Sequence, residues 1–341
     1  MEFQNSFRRQ KLAYLTALTL LFSYAEMILP RFIPFFRLGL ANVVILLSLE
    51  IDLSSFILLT LLKAFAASLM GGTLFSPFFI ISLLQSLASS LVMRLLFKLL
   101  RKALNKKLLS LCGISVLGSA VSAFVQLALA SIYLGQGTMA LLGPMLLFNT
   151  ASGLLTAVFA LLLIEEGLQK KLELGEELKI QEDDEEKSFQ SKKFFLNQPL
   201  QIFLALLILL ASASLFFIKN LYLLTVFFII SLVLQALSKR KIFWLSYLSL
   251  WLFIFLTAFF SPNGKVIFKL GSLSLTQGSL LLSLQKALVL SSVSALSQTA
   301  AHFHPSKESL LGMSLEYYRR MNKKFREEKG SLVKRLLSSL V

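Results

Sequence analysis

Ten stretches of this chain are apolar over lengths that call for burial in lipid. A bilayer core takes about 20 predominantly apolar residues per helix, fewer where a helix is short or re-entrant. Six such segments lie at about 12–29, 36–49, 53–70, 76–99, 111–134 and 140–164, and four more at about 199–218, 221–237, 242–260 and 278–300. The second is the weakest, because Arg37 stands at its start and its purely apolar part is short. Composition points the same way. Of 341 residues, 56% are hydrophobic and 15% charged, with 31 Phe, which is more apolar surface than a soluble fold of this size can hide. The expected fold class is an all-α integral membrane protein of about ten transmembrane helices, a six-helix module followed by a four-helix module, with no sheet. The one cysteine, Cys112, excludes a disulfide framework or a thiolate metal cage.

The charge pattern orients the spans. Net charge is +16, from 34 Lys+Arg against 18 Asp+Glu. In so apolar a chain that excess reads as cytosolic loops and anionic lipid, not as a nucleic-acid surface. Arg8, Arg9 and Lys11 precede the first span and hold the N-terminus in the cytosol. Counting spans then places Lys98, Arg101, Lys102, Lys106, Lys107 and the Lys239–Lys241 cluster inside as well. The outer connections at 71–73, 135–137, 219–220 and 261–277 are poor in Lys and Arg, Arg31 and Arg37 being the exceptions. The expectation is a multi-pass protein of the cell membrane with both termini cytosolic. The first apolar stretch has no small-residue cleavage site and reads as a span, not a cleaved signal.

Residues 165–197 break the pattern with ten acidic residues and six Lys. A contiguous run such as Glu182–Glu186 reads as a solvated linker. Carboxylates binding Mg-diphosphate need helical spacing over an apolar cavity, which this run lacks. The chain therefore divides into a membrane module at 1–164, the acidic cytosolic linker at 165–197, a second membrane module at 198–300 and a basic amphipathic tail at 301–341. The tail carries Tyr317, Tyr318, Arg319, Arg320, Lys323, Lys324, Arg326, Lys329, Lys334 and Arg335, and cationic side chains there favour a lipid surface.

Polar groups inside spans are costly and default to function. In the first module these are Glu26, Arg37, Asn42, Lys63, Gln85, Gln126 and Asn149. Lys63 lies near mid-span, where it cannot easily snorkel, so it faces a cavity or pairs with a carboxylate. Glu26 is the one carboxylate inside a span of this module, which makes a Glu26–Lys63 pair the plain structural alternative. Arg37 and Lys63 together suit an anionic ligand. Gly39, Gly71 and Gly72 read as turn or close-approach positions. Ala13 and Ala17, four apart on the first helix, form a small-xxx-small face that permits close helix approach in lipid, unless the spacing is fortuitous.

The first module resembles a known family. Glu26-Met-Ile-Leu-Pro30 followed by Phe36-Arg37-Leu38-Gly39-Leu40-Ala41-Asn42 is similar to the opening of the Gx transporter family, also described as heptaprenyl diphosphate synthase component I. Lys63, Gly71-Gly72, Ser82, Ser89-Ser90-Leu-Val-Met93, Gly113-Ile-Ser-Val-Leu-Gly118-Ser-Ala120 and Gln126 follow in order. The resemblance covers about 10–164. Arg37 stands where that family usually has Lys, and Gln85 where it tends to Gly. The resemblance implies a six-helix fold like the substrate-binding components of energy-coupling-factor (ECF) vitamin transporters, with Ala13 and Ala17 as the docking contact. It also implies a small-molecule ligand: a flavin, another vitamin-like cofactor, or a quinone or isoprenoid precursor.

Residues 198–300 resemble, more weakly, the transmembrane subunit of the same transporters. The likeness rests on Asn197-Gln-Pro199 and on Gly271 to Gly278, where Thr276 reads as an N-cap; Lys286 replaces a common Arg. The tail has no Ala-Arg-Gly coupling motif. With no phosphate-binding Gly-x-x-x-x-Gly-Lys-Ser/Thr loop in the chain, an ATP-driven step needs separate ATPase subunits. No nucleophile elbow, cofactor motif or metal-spaced set occurs, and His302 and His304 alone are a weak metal signal. Two readings stand: a noncatalytic transport subunit, or a noncatalytic membrane subunit of prenyl diphosphate or quinone synthesis or of a membrane redox pathway.

Overall fold

The computed structural model describes residues 2–28, 39–103, 107–165, 198–238, 242, 244–270, 273–300, 309–330 and 335–336. Arg37, the acidic run of the linker, the Lys239–Lys241 cluster, His302 and His304 lie outside them. The described helices are α1 (Glu2–Ile28), α2 (Asn42–Leu47), α3 (Leu53–Gly71), α4 (Pro77–Ala103), α5 (Lys107–Leu134), α6 (Leu142–Glu165), α7 (Gln198–Ser214), α8 (Leu221–Leu237), α9 (Trp244–Ala258), α10 (Gln277–Ala300) and α11 (Leu310–Glu327).

Among the described residues, four stretches are long and apolar enough to cross a membrane: Pro77–Leu99, Leu111–Leu134, Gln136–Glu165 and Gln277–Thr299. Leu53–Leu69, Leu206–Phe217, Leu221–Leu237 and Trp244–Ala258 are apolar but shorter. Of the ten expected spans, the described residues thus show four at full length and four shorter apolar helices. The segment expected at 36–49 contributes, within its described part, only the six residues of α2. Six residues rise about 9 Å, too little for a bilayer. Val43 to Leu47 are buried by protein, so the apolarity read as lipid exposure belongs to a core. Likewise Leu12 to Phe22 of α1 are enclosed by α2, α3 and α11.

Close packing of α4, α5 and α6 is made by small residues. Ser89 Oγ donates to the Gly118 carbonyl (2.8 Å), and Ser115 Oγ to the Gly153 carbonyl (2.7 Å). In lipid such contacts, not hydrophobicity, drive helix association. At one rim, Asp52 caps α3 by accepting from Ser55 N (3.0 Å), and Arg8 holds Asp52 (2.5 Å) and Ser55 Oγ (2.7 Å). This bond puts the basic start of α1 and the α2–α3 connection on one rim. Burial pushes the Asp52 carboxyl up, but Ser55 and Arg8 outweigh it and hold it below the ordinary carboxylate range. A lowered carboxyl stabilises the fold above its unfolded pKa, and that contribution fades as pH falls through the folded one. Asp52→Ala is thus expected to remove about 1 kcal/mol of capping at neutral pH. In thermal melts, its deficit against the unaltered protein should shrink as the medium is acidified through the carboxylate range.

The second module joins α8, α9 and α10 through a polar chain inside it. Tyr247 OH donates to Gln235 Oε1 (2.8 Å), and Gln235 Nε2 donates to Gln298 Oε1 (2.6 Å). Between α9 and α10 the expectation of no sheet fails. Strands β1 (Val266–Leu270) and β2 (Leu273–Thr276) pair antiparallel, with an irregularity between Val266 and Phe268. Thr276 caps α10 as expected, its Oγ1 accepting from Ser279 N (3.3 Å).

The modules meet along α10 and also along α9, where Ala130 and Leu134 of α5 share a core with Leu250, Phe253 and Ile254. Phe75 N donates to Ser297 Oγ (2.9 Å), and Gly72, at φ +67°, lies so near α10 that an added Cβ would fall 2.6 Å from Gln298 Cγ. Lys286 Nζ donates to the Leu134 carbonyl (2.6 Å) at the end of α5. α3 and α5 both run antiparallel to α4, so their C-terminal ends share one rim. Yet that rim touches α10 at positions 286 and 298, about 18 Å apart along its axis. α10 therefore runs across the rim, and the first module is strongly inclined to it. Lys286→Met is expected to cost about 1–2 kcal/mol, the value of a charged hydrogen bond less the apolar gain. Hydrogen exchange should quicken at the last turn of α5 and leave the Gln235–Tyr247 chain unchanged.

The tail differs from a free lipid-binding strip. Leu311, Tyr318, Met321 and Phe325 recur at helical spacing and are buried in the core that α1 shares. Tyr317 meets the Tyr14 ring at 5.9 Å, and Phe325 meets Tyr24 at 6.3 Å, so α11 runs alongside α1 in the same direction. Burial pushes the Tyr318 phenol up, with Tyr24 adding to it and Arg326 opposing. Only the charged face, with Arg319, Arg320, Lys323, Lys324 and Arg326, is exposed.

Candidate functional site

Three helices bring their costliest polar groups together. Glu26 sits near the end of α1, Asn42 opens α2 and Lys63 stands past the middle of α3. The chain enters α2 through Gly39, whose φ of +68° turns it back toward α1. Gly39 N donates to Glu26 Oε1 (3.1 Å), and Asn42 N donates to the Gly39 carbonyl (2.7 Å). The Lys63 ammonium donates to Asn42 Oδ1. Glu26 and Lys63 are 9% and 8% exposed, so both groups are largely out of solvent. A Cβ on Gly39 would stand 3.2 Å from Asn42 Nδ2 and 3.8 Å from Ser152 Oγ of α6. The result is a continuous polar track, Glu26–Gly39–Asn42–Lys63, bordered by Ser152. It offers a cation, an amide and a carboxylate to a ligand with one anionic and one polar end.

The other expected residues distribute differently. Asn149, three residues before Ser152, is half-buried on the adjoining stripe of α6. Gln85 on α4 has its Oε1 buried without a hydrogen-bond partner. Gln126 is half-buried on α5. Among the described residues, none of these three is hydrogen-bonded to the track. Ala13 and Ala17 are fully buried on α1, and Ala17 falls on the stripe between Tyr14 and Tyr24, both of which meet rings of α11. No group of three His, Cys, Asp or Glu side chains able to hold a metal occurs among the described residues.

Ser152 and Arg94 are functional candidates that the fold brings out. Arg94 is 6% exposed, donates to the Ile51 carbonyl (2.5 Å) and stacks 4.8 Å over the Phe56 ring. Its signal was present: it directly follows Met93 and is an arginine inside an apolar run. A serine like Ser152, one of many in apolar helices, gives no such signal.

The Glu26, Gly39, Asn42, Lys63 and Ser152 positions fall inside one family match. Residues 15–163 match the heptaprenyl diphosphate synthase component I family. Residues 200–301 match a domain family whose function is unknown. No curated protein and no solved structure matches the chain. The first match stops within the last turn of α6, and the second runs from α7 to the end of α10.

Proposed function

We propose that the chain is a noncatalytic membrane transport subunit whose first module binds a small anionic or amphipathic metabolite at the Glu26–Asn42–Lys63 track. The observation that carries this is the convergence of those three groups from three helices in a protein-enclosed, apolar setting, where each is expensive unless used. Lys63, Asn42 and Glu26 are the bound molecule's anion partner, amide partner and orienting acceptor. Arg37 belongs to the same set by sequence. A flavin, a vitamin-like cofactor or a prenyl diphosphate precursor has the required anionic or polar head on an apolar body.

The crossing of α10 over the rim of the first module supports a rocking step. Two contacts far apart on one helix, at Lys286 and at Ser297–Gln298, let the first module tilt about one while releasing the other. Packing of α11 on α1 near Ala17 ties the tail to the first module and leaves its basic face exposed. The family description favours a second reading, a noncatalytic membrane component of prenyl diphosphate synthesis.

The test uses the full chain in lipid nanodiscs, with riboflavin, geranyl diphosphate and a short-chain ubiquinone as probes in thermal-shift assays. Saturable stabilisation by one probe, together with its uptake into proteoliposomes, supports transport. Stabilisation without uptake, with capture of a soluble prenyl synthase, moves the function to the second reading. No stabilisation by any of the three, with a well-folded protein, overturns the binding assignment for these ligand classes.

A further inference from the structure

The β1–β2 hairpin is the most apolar exposed feature outside the helices. Val266, Ile267 and Phe268 are 58%, 59% and 52% exposed, so consecutive residues on both faces of β1 are open. Lys265 and Lys269 flank them and are also exposed. A strand apolar on both faces is normally buried on both. Here the hairpin is a fixture, not a loose loop. Gln277 N donates to the Lys265 carbonyl (2.8 Å), Gly278 N to the Asn263 carbonyl (3.1 Å) and Asn263 N to Thr276 Oγ1 (2.8 Å), which fastens its base to the first turn of α10.

Helix lengths say what covers it. α8 has 17 residues and α9 has 15, rising about 26 and 23 Å against a hydrocarbon core of about 30 Å. α10, with 24 residues, rises about 36 Å. The second module's shorter helices therefore leave part of the apolar thickness unfilled beside α10, and the hairpin stands at the N-terminal end of that helix. Its two-stranded sheet has open edges among the described residues, and unpaired backbone groups are not tolerated in hydrocarbon. The level that suits both its side chains and its backbone is the boundary between headgroups and acyl chains.

We infer that the β1–β2 hairpin is a membrane-interface anchor, with Val266, Ile267 and Phe268 set among the upper acyl chains and Lys265 and Lys269 against lipid phosphates. It fixes the height of α10 in the bilayer. The alternative occupant, a second copy pairing through the open edge of β1, is separated by the experiment.

In a Cys112→Ser background, Ile267→Cys and Phe268→Cys are each labelled with an environment-sensitive fluorophore in the full chain. The protein is reconstituted in phosphatidylcholine/phosphatidylglycerol vesicles. Lipid carrying a nitroxide high on its acyl chain is expected to quench both labels about twofold, and a mid-chain nitroxide less, as for segments lying in the interface. Either label suffices should the other variant not fold. Labels quenched by aqueous iodide and untouched by either lipid would overturn the anchor. Nitroxides at the same positions broadening one another in proportion to protein density, without lipid quenching, would also overturn it in favour of pairing between copies.

Discussion

Gly153→Val is expected to destabilise the first module by about 3 kcal/mol or more, the upper range for overpacking a tight contact. A Cβ at Gly153 would stand 2.6 Å from Ser119 Oγ, 3.1 Å from the Ser115 carbonyl oxygen and 3.1 Å from Val116 Cα. Two of these neighbours are backbone of α5, so relief requires the helices to separate. Separation in turn breaks the bond from Ser115 Oγ to the Gly153 carbonyl. Lipid offers no compensating hydrophobic gain, because acyl chains are as apolar as the helix faces they would replace. Gly118→Ala provides the contrast. There the added methyl meets the side chain of Met93, Cε at 2.3 Å and Cγ at 2.4 Å, so a buried but unbranched side chain must repack while both helix backbones can stay in place. Its expected effect is about 1 kcal/mol. Thermal unfolding in one detergent ranks the two variants. Equal melting temperatures would mean that α5 and α6 are not held by backbone approach at Gly153.

That packing explains part of what the sequence made legible. Ser89, Ser115 and Gly118 stand out as motif residues, and each closes an α4–α5 or α5–α6 contact. Gly153, the partner in the tighter contact, carries no motif that marks it. The polar-residue argument found Glu26, Asn42 and Lys63 because a charge or amide in an apolar run is conspicuous. Which of them pair is not written in the sequence; in the fold Lys63 donates to Asn42 and Gly39 N donates to Glu26. Hydropathy measures apolarity without saying what provides the apolar surroundings. Hence α2 looked like a span although protein buries it, and α11 looked like a lipid strip although α1 takes its apolar face. The hairpin escaped notice because its residues, apolar on both faces, read as ordinary connection between two spans.

Lys63→Met is expected to weaken binding of the stabilising probe by about 10- to 100-fold, the equivalent of one charged hydrogen bond of about 1.5–3 kcal/mol. Met nearly preserves length and volume, so the change isolates the ammonium. A binding role and a packing role then predict different outcomes for stability. If Lys63 serves only to hold Asn42, its loss leaves a half-buried amide short of a donor, and the ligand-free melting temperature falls along with any binding. If it serves a ligand, removing a desolvated charge leaves the ligand-free protein as stable or more so, while binding drops. The double variant Lys63→Met/Asn42→Leu sharpens this, since replacing both partners by apolar groups is close to neutral for folding. The expected pattern is near-native melting of the double variant with no probe-dependent shift. Native binding in Lys63→Met would remove the ammonium from the site and leave Glu26 and Asn42 as a structural joint between α1 and α2.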